Sequence, residues 1–271
     1  MDLYDKMKDY KDRILKRCDG KFYLPNDIPG KLKPTKCLIV LHYIYSLIEA
    51  LIPKAYWWLS LETLNIDQAY IDVVTWYLDN LETAVLKGLG LLFLGANGIG
   101  KTSLMCEIGK YALIRKYKVV YFTAQQYIQA VKADDKDLIS YFENSDFLLV
   151  DELDKVYIKK GSNFVTKTLE DFLRRMVSKG RILILGTNLN RESFVEVFGE
   201  STVSMLKRNL RFTAITGKDY SIDMQDNWNN ELETKPDYFA DVIMKNAELM
   251  WKKEQEDSER EWQKYYNRKN S

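Results

Sequence analysis

The run Leu91-Leu92-Phe93-Leu94-Gly95-Ala96-Asn97-Gly98-Ile99-Gly100-Lys101-Thr102-Ser103 joins an apolar segment to the spacing G-x-x-x-x-G-K-T. The chemistry available at that spacing is capture of a triphosphate. Glycines at 95, 98 and 100 let successive backbone N–H groups converge on phosphate oxygens, and the positive end of a following helix favours the same anion. Lys101 has the reach for the β- and γ-phosphates, and the Thr102 hydroxyl can hold Mg²⁺. The candidate nucleotide-binding residues are therefore Gly95, Ala96, Asn97, Gly98, Ile99, Gly100, Lys101, Thr102 and Ser103.

A second run, Phe147-Leu148-Leu149-Val150-Asp151-Glu152, ends an apolar strand in two acids. The first carboxylate, Asp151, is placed to orient the Mg²⁺ shell, and the second, Glu152, to polarise a water for attack on the γ-phosphate. A small-molecule kinase has no use for that water, which argues for hydrolysis. No N-K-x-D guanine signature occurs, so ATP is favoured over GTP. A third run, Arg181 to Asn188, would deliver Asn188 to the same sheet edge, where it could sense the γ-phosphate and help place the water. Its competing role is to cap the helix expected from Arg191, a task Thr187 or Asn190 could also perform.

These residues need a scaffold of strands and helices in alternation. Strands are expected near 90–95, 118–123, 146–151, 181–187 and 211–215, with helices beginning near Lys101, Ala124, Val165 and Arg191. That order implies a parallel sheet covered on both faces. Between the second and third strands, Gln125 to Ser145 leaves room for a short extra helical element in a stretch that holds Lys132 and Lys136. Ahead of the sheet, residues 37–88 read as helices, with Trp57 and Trp58 favouring core packing over base stacking. Residues 1–36 carry ten bases against six acids with Gly20, Pro25, Pro29, Gly30 and Pro34, a mixture suited to a phosphate backbone, an acidic partner or plain solvation. After Gly217 the chain holds thirteen acids and nine bases, with Phe239, Val242, Ile243, Ala247, Met250 and Trp251 at helical spacing. Trp262, Tyr265 and Tyr266 continue that aromatic face. Such a helix either folds back on its own domain or docks on a partner.

The P-loop, the acid pair in L-L-V-D-E, the G-T-N strand end and the segment Phe198-Gly199-Glu200…Leu206…Gly217-Lys218-Asp219-Tyr220 together resemble AAA+ ATPases of the DnaC/DnaI and IstB group. The resemblance covers about residues 50–220. It implies a P-loop AAA+ three-layer α/β fold with a parallel five-stranded sheet and little or no lid, to which the helical periodicity outside that range adds a helical N-terminal region and a helical C-terminal extension. The resemblance further implies that the extra helical element between the second and third strands helps line a nucleic-acid channel, which makes Lys132 and Lys136 candidate DNA contacts. It also implies a nucleotide sandwiched between subunits of a homo-oligomer, with an arginine supplied in trans. The chain departs from the group at Met205, where an Arg-hydrophobic pair is usual. Lys207, Arg208 and Arg211 lie close by, and Arg208 is the candidate trans residue, with Arg175 and Arg174 as a second choice.

The expected organisation is 1–50 as a basic helical partner-binding region, 51–220 as the ATPase and 221–271 as an amphipathic helical extension. The expected activity is ATP hydrolysis with Mg²⁺, stimulated by assembly, DNA or a partner. The resemblance implies a replicative helicase loader, with single-stranded DNA preferred to duplex. The alternative it leaves open is an IstB- or TnsC-like transposition regulator that forms filaments on duplex DNA and recruits a transposase.

With 271 residues and a net charge of +1, the chain is not a protein whose whole surface clamps nucleic acid. Cys18, Cys37 and Cys106 lack C-x-x-C spacing, so no disulfide framework or zinc site is expected. The start mixes acids and bases before any apolar run, so no signal peptide is expected, and Cys37 to Ile52 is too short and polar to span a bilayer. A cytoplasmic protein without a membrane partner is expected. His42, the single histidine, reads as a packed or hydrogen-bonded helix residue.

Overall fold

Side chains alternate across a β-strand, so a strand whose every residue is apolar must be covered on both faces. The computed structural model describes residues 23–25, 32–34, 36–156, 163–217, 219–220 and 238–270, and in it the apolar runs do this. The strands are β3 (Gly90–Leu94), β4 (Val119–Thr123), β5 (Phe147–Asp151), β6 (Ile182–Thr187) and β7 (Leu210–Ala214). They form one parallel sheet in the order β4-β5-β6-β3-β7. Leu91, Phe93, Phe147 and Leu149 enter one apolar core, while Leu92, Leu94, Leu148 and Val150 enter the other. A short antiparallel pair, β1 (Tyr23–Pro25) and β2 (Leu32–Pro34), precedes the sheet.

The first core is closed by α1 (Lys36–Glu49), α2 (Gln68–Asp79), α3 (Leu81–Leu86) and α4 (Lys101–Ile114), the helix that leaves the P-loop. Trp57 is buried there and donates its indole N–H to the Ile52 carbonyl at 2.8 Å, and Trp58 packs against the same cluster. Both tryptophans therefore serve the core. The second core is closed by α5 (Ala124–Lys132), α6 (Lys136–Glu143), α7 (Asn163–Ser178) and α8 (Arg191–Asn209), which is interrupted at Gly199. Between the second and third strands lie α5, the helix expected from near Ala124, and α6, a short additional one. Thr123 and Gln126 form a capping box for the first, and Asp135 caps the second.

The last helix, α9 (Tyr238–Asn270), decides the alternative left open for the C-terminal segment: it folds back. Val242, Ala247 and Met250 are buried, and Ile243 and Trp251 pack against the first core. Asn246 donates to the Tyr43 hydroxyl at 3.1 Å. His42 lies on α1 with its side chain half exposed and its Nδ1 3.7 Å from a Glu254 carboxylate oxygen, a surface contact of the last helix. Among the described residues no helix is long and apolar enough to cross a membrane. The charge mixture of residues 1–22 with Cys18, most of the proline-rich turns, Lys218, and the side chains of Cys37, Phe239, Trp262, Tyr265 and Tyr266 lie outside the description.

Ala247 is fully buried in the first core, so a carboxylate there would be stripped of water. Ala247→Asp is expected to cost about 3 kcal/mol of unfolding free energy. Urea denaturation followed by circular dichroism reads this directly. A midpoint unmoved from wild type would mean that α9 does not stay docked.

Candidate functional site

Parallel strands end at one edge, and there the P-loop of β3 meets the ends of β5 and β6. A cavity of 180 Å³ opens among Gly98, Lys101, Thr102, Asp151, Glu152 and Asn188, with Tyr56 on its wall. The loop takes the left-handed backbone that its glycines permit, with φ 74° at Gly98 and 90° at Gly100. Gly98 is also pressed from outside, since a β-carbon there would lie 1.8 Å from an Asp219 carboxylate oxygen. The Tyr220 N–H donates to the Gly98 carbonyl at 2.9 Å, so the segment after β7 seals the outer face of the P-loop.

Lys101 is buried, and its ammonium is spent on the loop itself. It donates to the Gly95 carbonyl at 2.9 Å, to the Ala96 carbonyl, and to Asn188 Oδ1 at 2.9 Å. Burial holds its pKa below the ordinary lysine value, and the charges of Asp151 and Asp154 work against that shift. These acceptors occupy the directions in which phosphate oxygens would be met.

The Thr102 hydroxyl donates to Asp151 Oδ2 at 2.6 Å. Tyr121, on β4, donates to the same oxygen at 3.1 Å, and the Glu152 N–H donates to Asp151 Oδ1 at 2.8 Å. A hydroxyl and a carboxylate beside a phosphate cradle are the hard oxygen donors that Mg²⁺ takes, so the residues present fit that ion. Room for the carboxylate comes from Gly186, where a β-carbon would sit 2.5 Å from Asp151 Oδ1. Tyr56 packs against Thr102. Burial, then Cys106 and Asp151, push its phenol up to about 12, while the hydrogen bond to Thr102 works the other way.

Glu152 adopts φ 57°, a left-handed turn that costs a non-glycine residue about 1 kcal/mol. The turn sends Leu153 into the core while Glu152 and Asp154 stay at the edge. Glu152 is ion-paired with Lys155, and that hydrogen bond raises the lysine's pKa. Asp154 accepts from the Thr187 hydroxyl at 3.2 Å, from the Asn188 N–H at 2.7 Å and from Asn188 Nδ2 at 2.8 Å. Asn188 does not cap the next helix: Asn190 does, accepting from the Ser193 N–H at 2.8 Å.

The structure thus gathers residues 95–103 with Asp151, Glu152 and Asn188, and leaves Arg208 apart. Arg208 precedes β7, so it lies at the opposite, amino edge of the sheet, exposed and lining a groove with Trp76, Lys87, Lys207 and Arg211. Arg211 stacks over the Trp76 ring at 5.1 Å. The other candidates are engaged within the chain. Arg175 pairs with Glu143 at 2.8 Å and Arg174 donates to Thr202 at 3.0 Å. Lys136 pairs loosely with Asp134 at 3.8 Å on the surface.

Residues 91–210 match the family described as ATPase family associated with various cellular activities (AAA). The stretch from β3 to the start of β7 thus resembles an AAA domain. Among curated proteins it is 30% identical over 132 residues to an insertion sequence IS5376 putative ATP-binding protein of Geobacillus stearothermophilus, covering 46% of this chain and 51% of that protein. The chain thus spans about half the length of the curated relative it matches. Among solved structures, the DnaC helicase loader superposes with a TM-score of 0.53 at 20% identity, over 60% of this chain and all of that one. DnaI gives 0.51 at 16% identity, over 62% of this chain and 93% of that one. The replication initiator DnaA bound to AMPPCP and single-stranded DNA gives 0.51 at 18%, over 79% and 70%. At these identities the structures speak for the fold, a P-loop AAA+ three-layer arrangement.

Sequence reasoning passed over Tyr56, Tyr121, Asp154, Lys155 and the contact of Asp219 with Gly98. Only Asp154 left a local signal, as the second acid flanking a buried leucine in D-E-L-D. Gly98→Ala would force a left-handed alanine and displace the Asp219 carboxylate. Titration with a fluorescent ATP analogue is expected to show affinity weakened about tenfold, the equivalent of 1.4 kcal/mol. Unchanged affinity would mean that the Asp219 segment gives way freely.

Proposed function

We propose that this protein is an ATP-hydrolysing AAA+ oligomer that loads a replicative helicase, acting with single-stranded DNA in the cytoplasm. One observation carries the reading: Lys101, Thr102, Asp151, Glu152 and Asn188 converge at one sheet edge while Arg208 stands exposed at the other. Lys101 exchanges its loop carbonyls for the β- and γ-phosphate oxygens. Thr102 and Asp151 would hold Mg²⁺, whose charge would offset that of the phosphates. Glu152, released from Lys155, polarises the attacking water, and Asn188 orients it. Arg208 cannot serve its own site from the amino edge, so it serves a neighbouring subunit's. Residues 51–220 act as the ATPase, 1–50 as the partner-binding region and 221–271 as the helical extension.

A second reading is favoured by the insertion-sequence relative, which is the match at 30% identity. It makes the protein a transposition regulator that coats duplex DNA and recruits a transposase. Both readings share the active site and differ in the polymer. Negative-stain electron microscopy with Mg²⁺ and a non-hydrolysable ATP analogue separates them: short spirals or small rings favour the loader, and long filaments on duplex favour the regulator. A monomer under every condition would sink both.

Glu152→Gln is expected to keep ATP binding and lose turnover by about a hundredfold or more. Arg208→Ala should be similarly slow when assembled. Mixing the two inactive proteins should restore activity, because some interfaces then pair an intact Glu152 with an intact Arg208 from its neighbour. No recovery on mixing, or an Arg208→Ala protein as fast as wild type, would remove Arg208 from the mechanism.

A further inference from the structure

Asn188 has one side-chain oxygen and one NH₂ group, and its neighbours leave only one way to place them. Lys101 can only donate, and an ionised Asp154 can only accept. Asn188 Oδ1 therefore faces Lys101 at 2.9 Å, and Nδ2 faces Asp154 Oδ2 at 2.8 Å. The other Asp154 oxygen takes the Asn188 backbone N–H at 2.7 Å and the Thr187 hydroxyl at 3.2 Å, so the carboxylate is clamped to the strand end at several points. Its own position is set by Leu153, fully buried one residue earlier and anchored through its N–H to the Gly186 carbonyl at 3.1 Å.

We propose that Asp154 is a positioning residue that fixes Asn188 with its amide oxygen toward the reacting phosphate and its NH₂ turned away. The inference rests on the ATPase reading above and assigns Asn188 one function within it. A phosphate oxygen only accepts hydrogen bonds, so an Asn188 held this way offers the γ-phosphate no donor through its oxygen. It accepts instead from a donor at that edge, first Lys101 and then the attacking water, whose other proton Glu152 takes. Asn188 is thereby a water-orienting acceptor rather than a phosphate-sensing donor, and Asp154 makes the difference.

Asp154→Asn tests this with almost no change in shape. The new NH₂ faces the NH₂ of Asn188, and the mismatch is relieved when Asn188 turns over and presents a donor to the cavity. Expected for the assembled protein is a kcat lowered about tenfold to a hundredfold, as for other losses of catalytic positioning, with KM and the affinity for a fluorescent ATP analogue little changed. Asn188→Ala should lose a similar factor, and adding Asp154→Asn to it should cost nothing more, because Asp154 acts through Asn188. Thermal melting of each variant identifies any that lose the fold, and Asp154→Glu, which keeps the acceptors, should recover part of the rate. If the two substitutions multiply, or if Asp154→Asn weakens ATP binding as much as turnover, the proposal is overturned while the ATPase reading stands. A wild-type assembly that hydrolyses no ATP would overturn that reading, and this one with it.

Discussion

In a parallel sheet every strand enters at one edge and leaves at the other, and this protein's chemistry follows from that single constraint. β3 leaves as the P-loop, β5 as Asp151 and Glu152, and β6 as Thr187 and Asn188. The strand order puts β6 between β5 and β3, so Asn188 can touch both Lys101 and Asp154. An antiparallel arrangement of the same strands would scatter these groups over two edges. The crossovers that parallel pairing requires supply the helices that cover both faces, and the apolar runs are the consequence of that double covering.

At the gathered edge, the charged groups are held by neighbours within the chain, most of them neutral. Asp151 is satisfied by Thr102, Tyr121 and the Glu152 N–H, while Lys101 is satisfied by loop carbonyls and Asn188. Lys155 neutralises Glu152 on the more exposed side. Lys101 bonds only to carbonyls and an amide, and burial lowers its pKa against the opposing charges of Asp151 and Asp154. Phosphate oxygens supply the charge that those neutral acceptors lack. The same residues therefore satisfy one another and gain from binding a polyanion.

What the sequence made legible was whatever is local. Apolar runs located β3, β5 and β6 to within about a residue, because burial on both faces leaves a continuous signature. Spacing located the P-loop and the acid pair, because those groups are positioned by consecutive backbone. The groups it did not disclose depend on chain segments that meet only after folding. Tyr56 arrives from before the sheet, held there because the buried Lys110 of α4 donates to the Tyr56 carbonyl at 2.9 Å and to that of Leu59. Tyr121 reaches Asp151 from the neighbouring strand, and Asp219 reaches Gly98 from beyond the last one. The docking of α9 was equally hidden, since an amphipathic helix shows that it has a sticky face but not whose surface it meets.

Under the proposed function, the same topology would divide the catalytic site between two chains. A basic side chain that follows α8 into β7 is delivered to the amino edge, and a parallel sheet offers no path from there back to the phosphates at the carboxyl edge. In that groove Arg208 is joined by Lys87, Lys207 and Arg211, with no carboxylate among the lining residues, so its field favours an anion brought from outside the chain. A second copy presenting its bound nucleotide is such an anion. Stacking of this kind would bring the cationic edge of one subunit against the phosphate edge of the next, in the same orientation at each step, a head-to-tail contact that extends as a ring or a spiral. On that reading, the division of the catalytic groups between two edges of one sheet would couple hydrolysis to assembly.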